Sequence, residues 1–157
     1  MLHKFVKDLD NGIKSEDGMV RILKEEYPTI RRLDGYNPDY DLFDDDGNTW
    51  EVKSDIGSKD TNNIAIEYEY KGQKSGIAKT KARYWIQIFK HKGEWVYLIC
   101  EVSILKRFLI ELAGIEAVES MGKFRKAIGG DNKDSKCYLI DKNYFIQNIG
   151  EECIKIQ

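Results

Sequence analysis

The sequence predicts a mixed α/β (α+β) fold with helices flanking one central β-sheet. Two observations carry this. Apolar residues recur at helical spacing in some segments and with a period of two in others, and the two kinds of segment are interleaved along the chain. The length, 157 residues, fits one domain over residues 1–157 with a single core. With 41% hydrophobic and 33% charged residues, the composition excludes disordered and fibrous classes.

Leu2, Phe5, Val6 and Leu9 predict a short amphipathic helix that Asp10-Asn11-Gly12 stops. Ser15 is the expected N-cap of a second helix, with Glu16 and Asp17 in its first turn and Pro28 beyond its end. From Tyr40 the period becomes two. Tyr40, Leu42, Trp50 and Val52 alternate with polar residues around Asp45-Asp46-Gly47, which predicts a hairpin with a three-residue loop. Asn63 to Tyr70 reads as a third strand with Ile64, Ile66, Tyr68 and Tyr70 on one face, and Ser75 to Arg83 as a loop with a short basic helix. Tyr84 to Phe89 and Trp95 to Cys100 form a second hairpin. Ser103 is the expected cap of a helix that Gly114 closes. Strands near Phe124 to Ile128 and Cys137 to Ile140 follow, and then a short helix capped by Asn143.

The net charge of −2 taken alone argues against a nucleic-acid partner. Its distribution argues otherwise. Residues 1–70 hold 9 basic and 17 acidic side chains, whereas residues 71–157 hold 16 and 10. Five aspartates fall between Asp39 and Asp46, and Lys71 to Lys92 contains basic residues and no acid.

The acidic hairpin carries the chemistry. Its expected register puts Asp41 opposite Glu51 and Asp39 opposite Lys53, while Leu42, Trp50 and Val52 point to the other face. Two carboxylates so placed suit Mg²⁺ or Mn²⁺, which can polarise a phosphoryl oxygen and acidify a bound water. Lys53 shares the face of Glu51 and can position that water or offset developing charge. Pro38-Asp39, Asp41 and then Glu51-Val52-Lys53 resembles the PD-(D/E)xK nuclease superfamily, whose members include restriction enzymes and junction resolvases. The segments Ile66 to Tyr70, Ser75-Gly76-Ile77, Ala82 to Trp85, Gly129 to Asn132 and Tyr138-Leu139-Ile140 are similar to a phage-associated group of that superfamily.

The resemblance implies a restriction-endonuclease-like core with a central mixed sheet and a Mg²⁺-dependent DNA endonuclease. Asp41 and Glu51 would be its metal ligands and Lys53 its third catalytic residue. Asp39 competes with Asp41 for the first position, and Asp41 has the better register. Glu16 is the candidate helix acid, in competition with Glu25 and Glu26, and Glu67 is a further candidate contact. Lys74, Lys79, Lys81 and Arg83 would grip DNA phosphates. A homodimer is a candidate state by analogy with enzymes that cut both strands.

Blander readings stand beside these. The Asp-rich turn can be a solvated structural hairpin, Glu67 a solvated strand residue, and Gly129 to Asn132 an ordinary loop. Tyr84 and Trp85 suit the core better than base stacking, and His3 and His91 have no partner spacing. A calcium loop fails, because Leu42 and Lys53 would occupy positions that need acids. The alternative function is a DNA- or partner-binding module that keeps the fold without catalysis. No apolar run is long enough for a bilayer and the first residues lack a signal-peptide core, so a cytoplasmic protein without a membrane partner is expected. Cys100, Cys137 and Cys153 are expected as reduced thiols.

Overall fold

A computed structural model describes residues 15–35, 37, 39–55, 61–114, 122–129, 132–149 and 153–156. The helix expected over the first ten residues and the residues Pro38, Gly130 and Asp131 lie outside that set. In chain order the elements are α1 (Ser15–Leu23), β1 (Arg31–Arg32), β2 (Leu42–Phe43), β3 (Thr49–Asp55), β4 (Asn63–Tyr70), β5 (Gln73–Lys74), a 3₁₀ turn (Gly76–Ala78), β6 (Tyr84–His91), β7 (Glu94–Glu101), α2 (Val102–Ala113), β8 (Phe124–Gly129), β9 (Ser135–Asp141), α3 (Lys142–Ile149) and β10 (Ile154–Ile156).

The strands form two sheets, not the single one expected. One has six strands in the order β1-β2-β3-β6-β7-β10, and the other four in the order β5-β4-β9-β8. The reason lies in one pairing. β3 and β6 are parallel, with Glu51 opposite Trp85 and Lys53 opposite Gln87. A parallel pair needs a crossover, and here β4, β5 and the 3₁₀ turn lie within it. The crossover seeds the second sheet and carries it over one face of the first.

Strand composition agrees with this layering. β6 and β7 are buried along almost their whole length, as strands covered on both faces must be. β4 alternates buried with half-buried residues, as a strand covered on one face does. Trp85, Phe89, Val96, Leu98 and Cys100 pack under Ile64, Ile66 and Ile140 of the second sheet and under Leu105, Leu109 and Phe145 of α2 and α3. On the opposite face Trp50, Val52, Ile86, Ile88 and Tyr97 pack against Met19 and Leu23 of α1.

Several local expectations are corrected. A register shift between Glu67 and Glu69 turns Tyr70 out to solvent, although Ile64 and Ile66 stay buried. Ser75 to Arg83 contains a 3₁₀ turn with no basic residue in it. α2 begins one residue before Ser103, with Glu101 in the cap position. α3 begins before Asn143, and its first turn is capped by Asp141 Oδ1, which accepts the Tyr144 N–H at 2.9 Å. Antiparallel pairing of β10 with β7 sets Ile154 opposite Ile99 and brings Cys153 beside Cys100. These two cysteines form a disulfide with Cα atoms 4.5 Å apart, so of the three expected thiols Cys137 alone is free. No helix among the described residues is long and apolar enough to cross a membrane.

Candidate active site

The acidic hairpin adopts the expected register for as long as it stays a hairpin. Leu42 pairs with Trp50 and Phe43 with Thr49. Gly47 takes φ +84°, the left-handed conformation that its place in the loop requires. Asp44 organises this loop: its carboxylate accepts from the Asp46 N–H at 3.0 Å and from the Asn48 N–H and side-chain amide at 2.8 Å each. Asp45 pairs with Arg31 at 2.8 Å. Two of the clustered aspartates therefore serve the turn itself.

Asp41 ends the ladder. Its N–H donates to the Trp50 carbonyl at 2.9 Å, and its Oδ2 accepts the Val52 N–H at 2.8 Å. A side-chain carboxylate thus takes the donor that a further backbone pair would have used, and the strand stops. Neither expected pair, Asp41 with Glu51 or Asp39 with Lys53, is therefore part of the ladder, contrary to expectation. Asp39 pairs with Lys81 at 3.5 Å, and its carbonyl accepts from the Lys81 N–H at 3.0 Å.

Asp41, Glu51 and Lys53 line one cavity of about 300 Å³ together with Glu16, Asn37 and Lys79. Neither Glu25 nor Glu26 reaches it. Its roof is the crossover. Gly76 has φ +49°, and a Cβ there would collide with the Glu67 carbonyl, so only glycine lets the turn lie this close to β4.

Thr80, which no sequence signal marks beyond its place among lysines, is the residue that sequence reasoning missed. It is buried, and its Oγ1 stands 3.3 Å from Glu51 Oε2 and 3.2 Å from the Asp39 carbonyl. The other Glu51 oxygen, Oε1, pairs with Lys53 Nζ at 2.6 Å. Glu51 is thereby held at both oxygens while still facing the cavity.

Burial pushes the Asp41 carboxyl above its usual range; the Val52 N–H opposes this, and Glu51 and Glu16 add to it. Burial alone would lower the Lys53 ammonium, but Glu51, through charge and hydrogen bond, and then Asp41 and Glu67 raise it instead. A half-buried Asp41 and a buried Glu51, which repel each other, form a donor pair that a hard divalent cation would relieve. Among the described residues no group of three or more His, Cys, Asp or Glu could hold a metal ion. The set fits Mg²⁺, which commonly takes one or two carboxylates and keeps several waters.

Glu67 stands apart from this group. It lines a neighbouring cavity of about 140 Å³ with Lys53, Asp55 and Gln87. Its oxygens accept the Ser75 hydroxyl at 2.5 Å and the Ser135 hydroxyl at 2.8 Å. Of the four expected phosphate contacts, only Lys79 lines the main cavity. Lys74 is exposed on β5, and Lys81 is tied to Asp39. Arg83 bonds Asn48 Oδ1 at 3.2 Å and pairs with Glu101 at 3.6 Å.

Neither the models of known protein families nor the curated proteins include a match to this chain. Local geometry and chemistry therefore carry the functional reading.

Proposed function

We propose that this chain is a Mg²⁺-dependent DNA endonuclease with a restriction-endonuclease-like core, acting by direct attack of water on a phosphodiester. The observation that carries the reading is the convergence of Asp41, Glu51 and Lys53 on one cavity beside a basic residue, Lys79.

In this reading Asp41 and Glu51 hold the cation. The bound Mg²⁺ (or Mn²⁺) supplies Lewis acidity toward a phosphoryl oxygen and a water of lowered pKa. The chain does the rest. Lys53, kept protonated by Glu51, donates to the negative charge that develops on phosphorus and orients the incoming water. Thr80 fixes the Glu51 rotamer from the crossover side, which makes it a positioning residue. Glu16 lines the same cavity, and Lys79 takes a backbone phosphate. Two chains acting as a homodimer would place one such site on each strand.

The test is incubation of the purified chain with supercoiled, linear and branched DNA in Mg²⁺, Mn²⁺ or EDTA. Nicking or linearisation that needs the metal is the expected result. Binding that persists in EDTA with no cleavage of any form would replace this reading with a non-catalytic DNA-binding module.

A further inference from the structure

Four residues of one short segment, Ser75, Gly76, Lys79 and Thr80, line the main cavity. The segment is stiff. The Ala78 N–H donates to the Ser75 carbonyl at 3.0 Å, and the Lys79 and Thr80 N–H groups both donate to the Gly76 carbonyl, at 3.1 and 3.0 Å. Where Ser75 and Gly76 sit therefore decides where Lys79 and Thr80 sit. Backbone contacts fix part of this: the Ser75 N–H donates to the Tyr68 carbonyl at 3.1 Å, and Gly76 lies against the Glu67 backbone. A single backbone bond holds the head of the turn without fixing its tilt. A second bond, to the side chain of the same residue, does so.

We propose that Glu67 is the clamp of this turn, a positioning residue that fixes Lys79 and Thr80 at the wall of the cavity rather than a metal or water contact. The catalytic consequence rests on the nuclease reading; the clamp does not. Both Glu67 oxygens are engaged by hydroxyls. Oε1 accepts from Ser75, at the head of the turn, at 2.5 Å, and Oε2 accepts from Ser135, the first residue of β9, at 2.8 Å. Bonds of this kind, from a hydroxyl to a carboxylate, are short and strong. β9 is itself paired along β4, so the Ser135 bond anchors the carboxylate to the second sheet and the Ser75 bond passes that anchorage to the turn. At the far end of the turn Thr80 Oγ1 stands 3.3 Å from Glu51 Oε2. A chain of contacts thus runs from β9 through Glu67 and Ser75 to the carboxylate that would hold the cation. Glu67 lies in the smaller cavity with Lys53, not in the main one with Asp41 and Glu51. Among the carboxylates that raise the Lys53 ammonium it comes last, after Glu51 and Asp41. Position and charge both argue against a further metal ligand.

Glu67→Gln and Glu67→Ala separate the clamp from the charge. A serine hydroxyl both donates and accepts, so a glutamine can bond Ser75 with one end of its amide and Ser135 with the other while carrying no charge. Alanine bonds neither. Amide hydrogen exchange of the intact chain in EDTA reads the turn without any need for activity. Glu67→Ala should speed exchange at Ala78, Lys79 and Thr80 ~10-fold and leave Ile86 and Ile88 of β6 unchanged. Ser75→Ala, which keeps Glu67 in place, should reproduce that pattern. In cleavage of DNA with Mg²⁺, Glu67→Ala should lower kcat ~10-fold. Glu67→Gln should stay close to the parent in both measurements. A loss of cleavage by Glu67→Gln as deep as by Glu67→Ala would make the charge the operative feature and overturn the clamp. Unchanged exchange at Ala78, Lys79 and Thr80 in both alanine variants would overturn it too. A parent chain that cuts no DNA, with the exchange pattern as expected, would end the nuclease reading and leave the clamp standing.

Discussion

The β6–β7 hairpin keeps its ladder from Tyr84 opposite Glu101 to His91 opposite Glu94, whereas β2 pairs with β3 only at Leu42–Trp50 and Phe43–Thr49. Both hairpins turn at a glycine with positive φ, Gly47 in the short one and Gly93 in the long one. The long one buries both faces and holds the two core clusters together. The short one breaks where Asp41 takes the Val52 N–H with its side chain. An unbroken ladder commits its backbone donors to other backbone groups, and its side chains to packing. A broken one can aim a carboxylate at a cavity. Regularity here goes with stability, and its interruption with chemistry.

The largest effect that would sharpen this contrast is in the long hairpin. Phe89→Ala should cost ~3–5 kcal/mol, because a fully buried ring is removed from the middle of the core. Urea denaturation measures it, and a loss no greater than that of a turn substitution such as Asp46→Ala would erase the distinction. Next in size is the short hairpin's own residue. Glu51→Gln keeps the shape and the Thr80 hydrogen bond but removes the charge, so metal-dependent cleavage should fall ~10³-fold or more with the melting transition nearly unmoved. Full cleavage by this variant would detach β3 from the mechanism.

How much of this is legible in the sequence follows the same line. The hairpins, the α1 helix and the register around Gly47 can be read because each follows a local period or a turn preference. The segregation into two sheets cannot, since it depends on β3 pairing in parallel with β6 across a crossover, and no short-range pattern specifies that partner. The continuous burial of YWIQIFKH against the alternation of NIAIEYEY is the one clue the strands offer. The shared face of Glu51 and Lys53 is readable from alternation, the preference for Asp41 over Asp39 from the hairpin register, and Glu16 only as one of three helix acids that the family resemblance brings forward. Asp39 falls elsewhere than its register suggests because a side chain, not the backbone, ends the ladder. Thr80 lies 29 positions from Glu51, and only the folded crossover brings the two together.

Thr80 tests whether the crossover contributes to catalysis or only covers the site. Thr80→Val retains the volume and removes the hydroxyl, and turnover should drop ~10-fold with substrate affinity unchanged. Rescue by Thr80→Ser would locate the effect in the hydrogen bond, while an unchanged rate in the valine variant would reduce Thr80 to packing.

Asp41 tests the cost of breaking the ladder. Its carboxyl titrates higher in the folded chain than in the unfolded one, so its contribution to stability is present in acid and lost as pH rises through the folded value. Above the folded value the penalty stands in full. Asp41→Asn should remove it while its side-chain oxygen still accepts the Val52 N–H, raising stability by up to ~1 kcal/mol as cleavage disappears. Mg²⁺ should raise the melting temperature of the natural chain and leave this variant's unchanged. A variant less stable than the parent at neutral pH would show that the carboxylate is needed structurally.

The smallest expected effect separates the basic residues that face the cavity from those engaged elsewhere. Removing one cation that grips a phosphate should lower the slope of log affinity against log salt by ~1. Lys79 lines the cavity, so Lys79→Gln should show that decrement in DNA binding measured without metal. Arg83 is shared between Asn48 and Glu101 and lies over the Tyr84 ring, so its guanidinium is already engaged by the protein. Arg83→Gln should therefore leave the slope unchanged and lower stability slightly. The reverse pattern would mean that DNA runs along the β3–β6 edge rather than over the crossover, and would move the substrate path without moving the three residues at its centre.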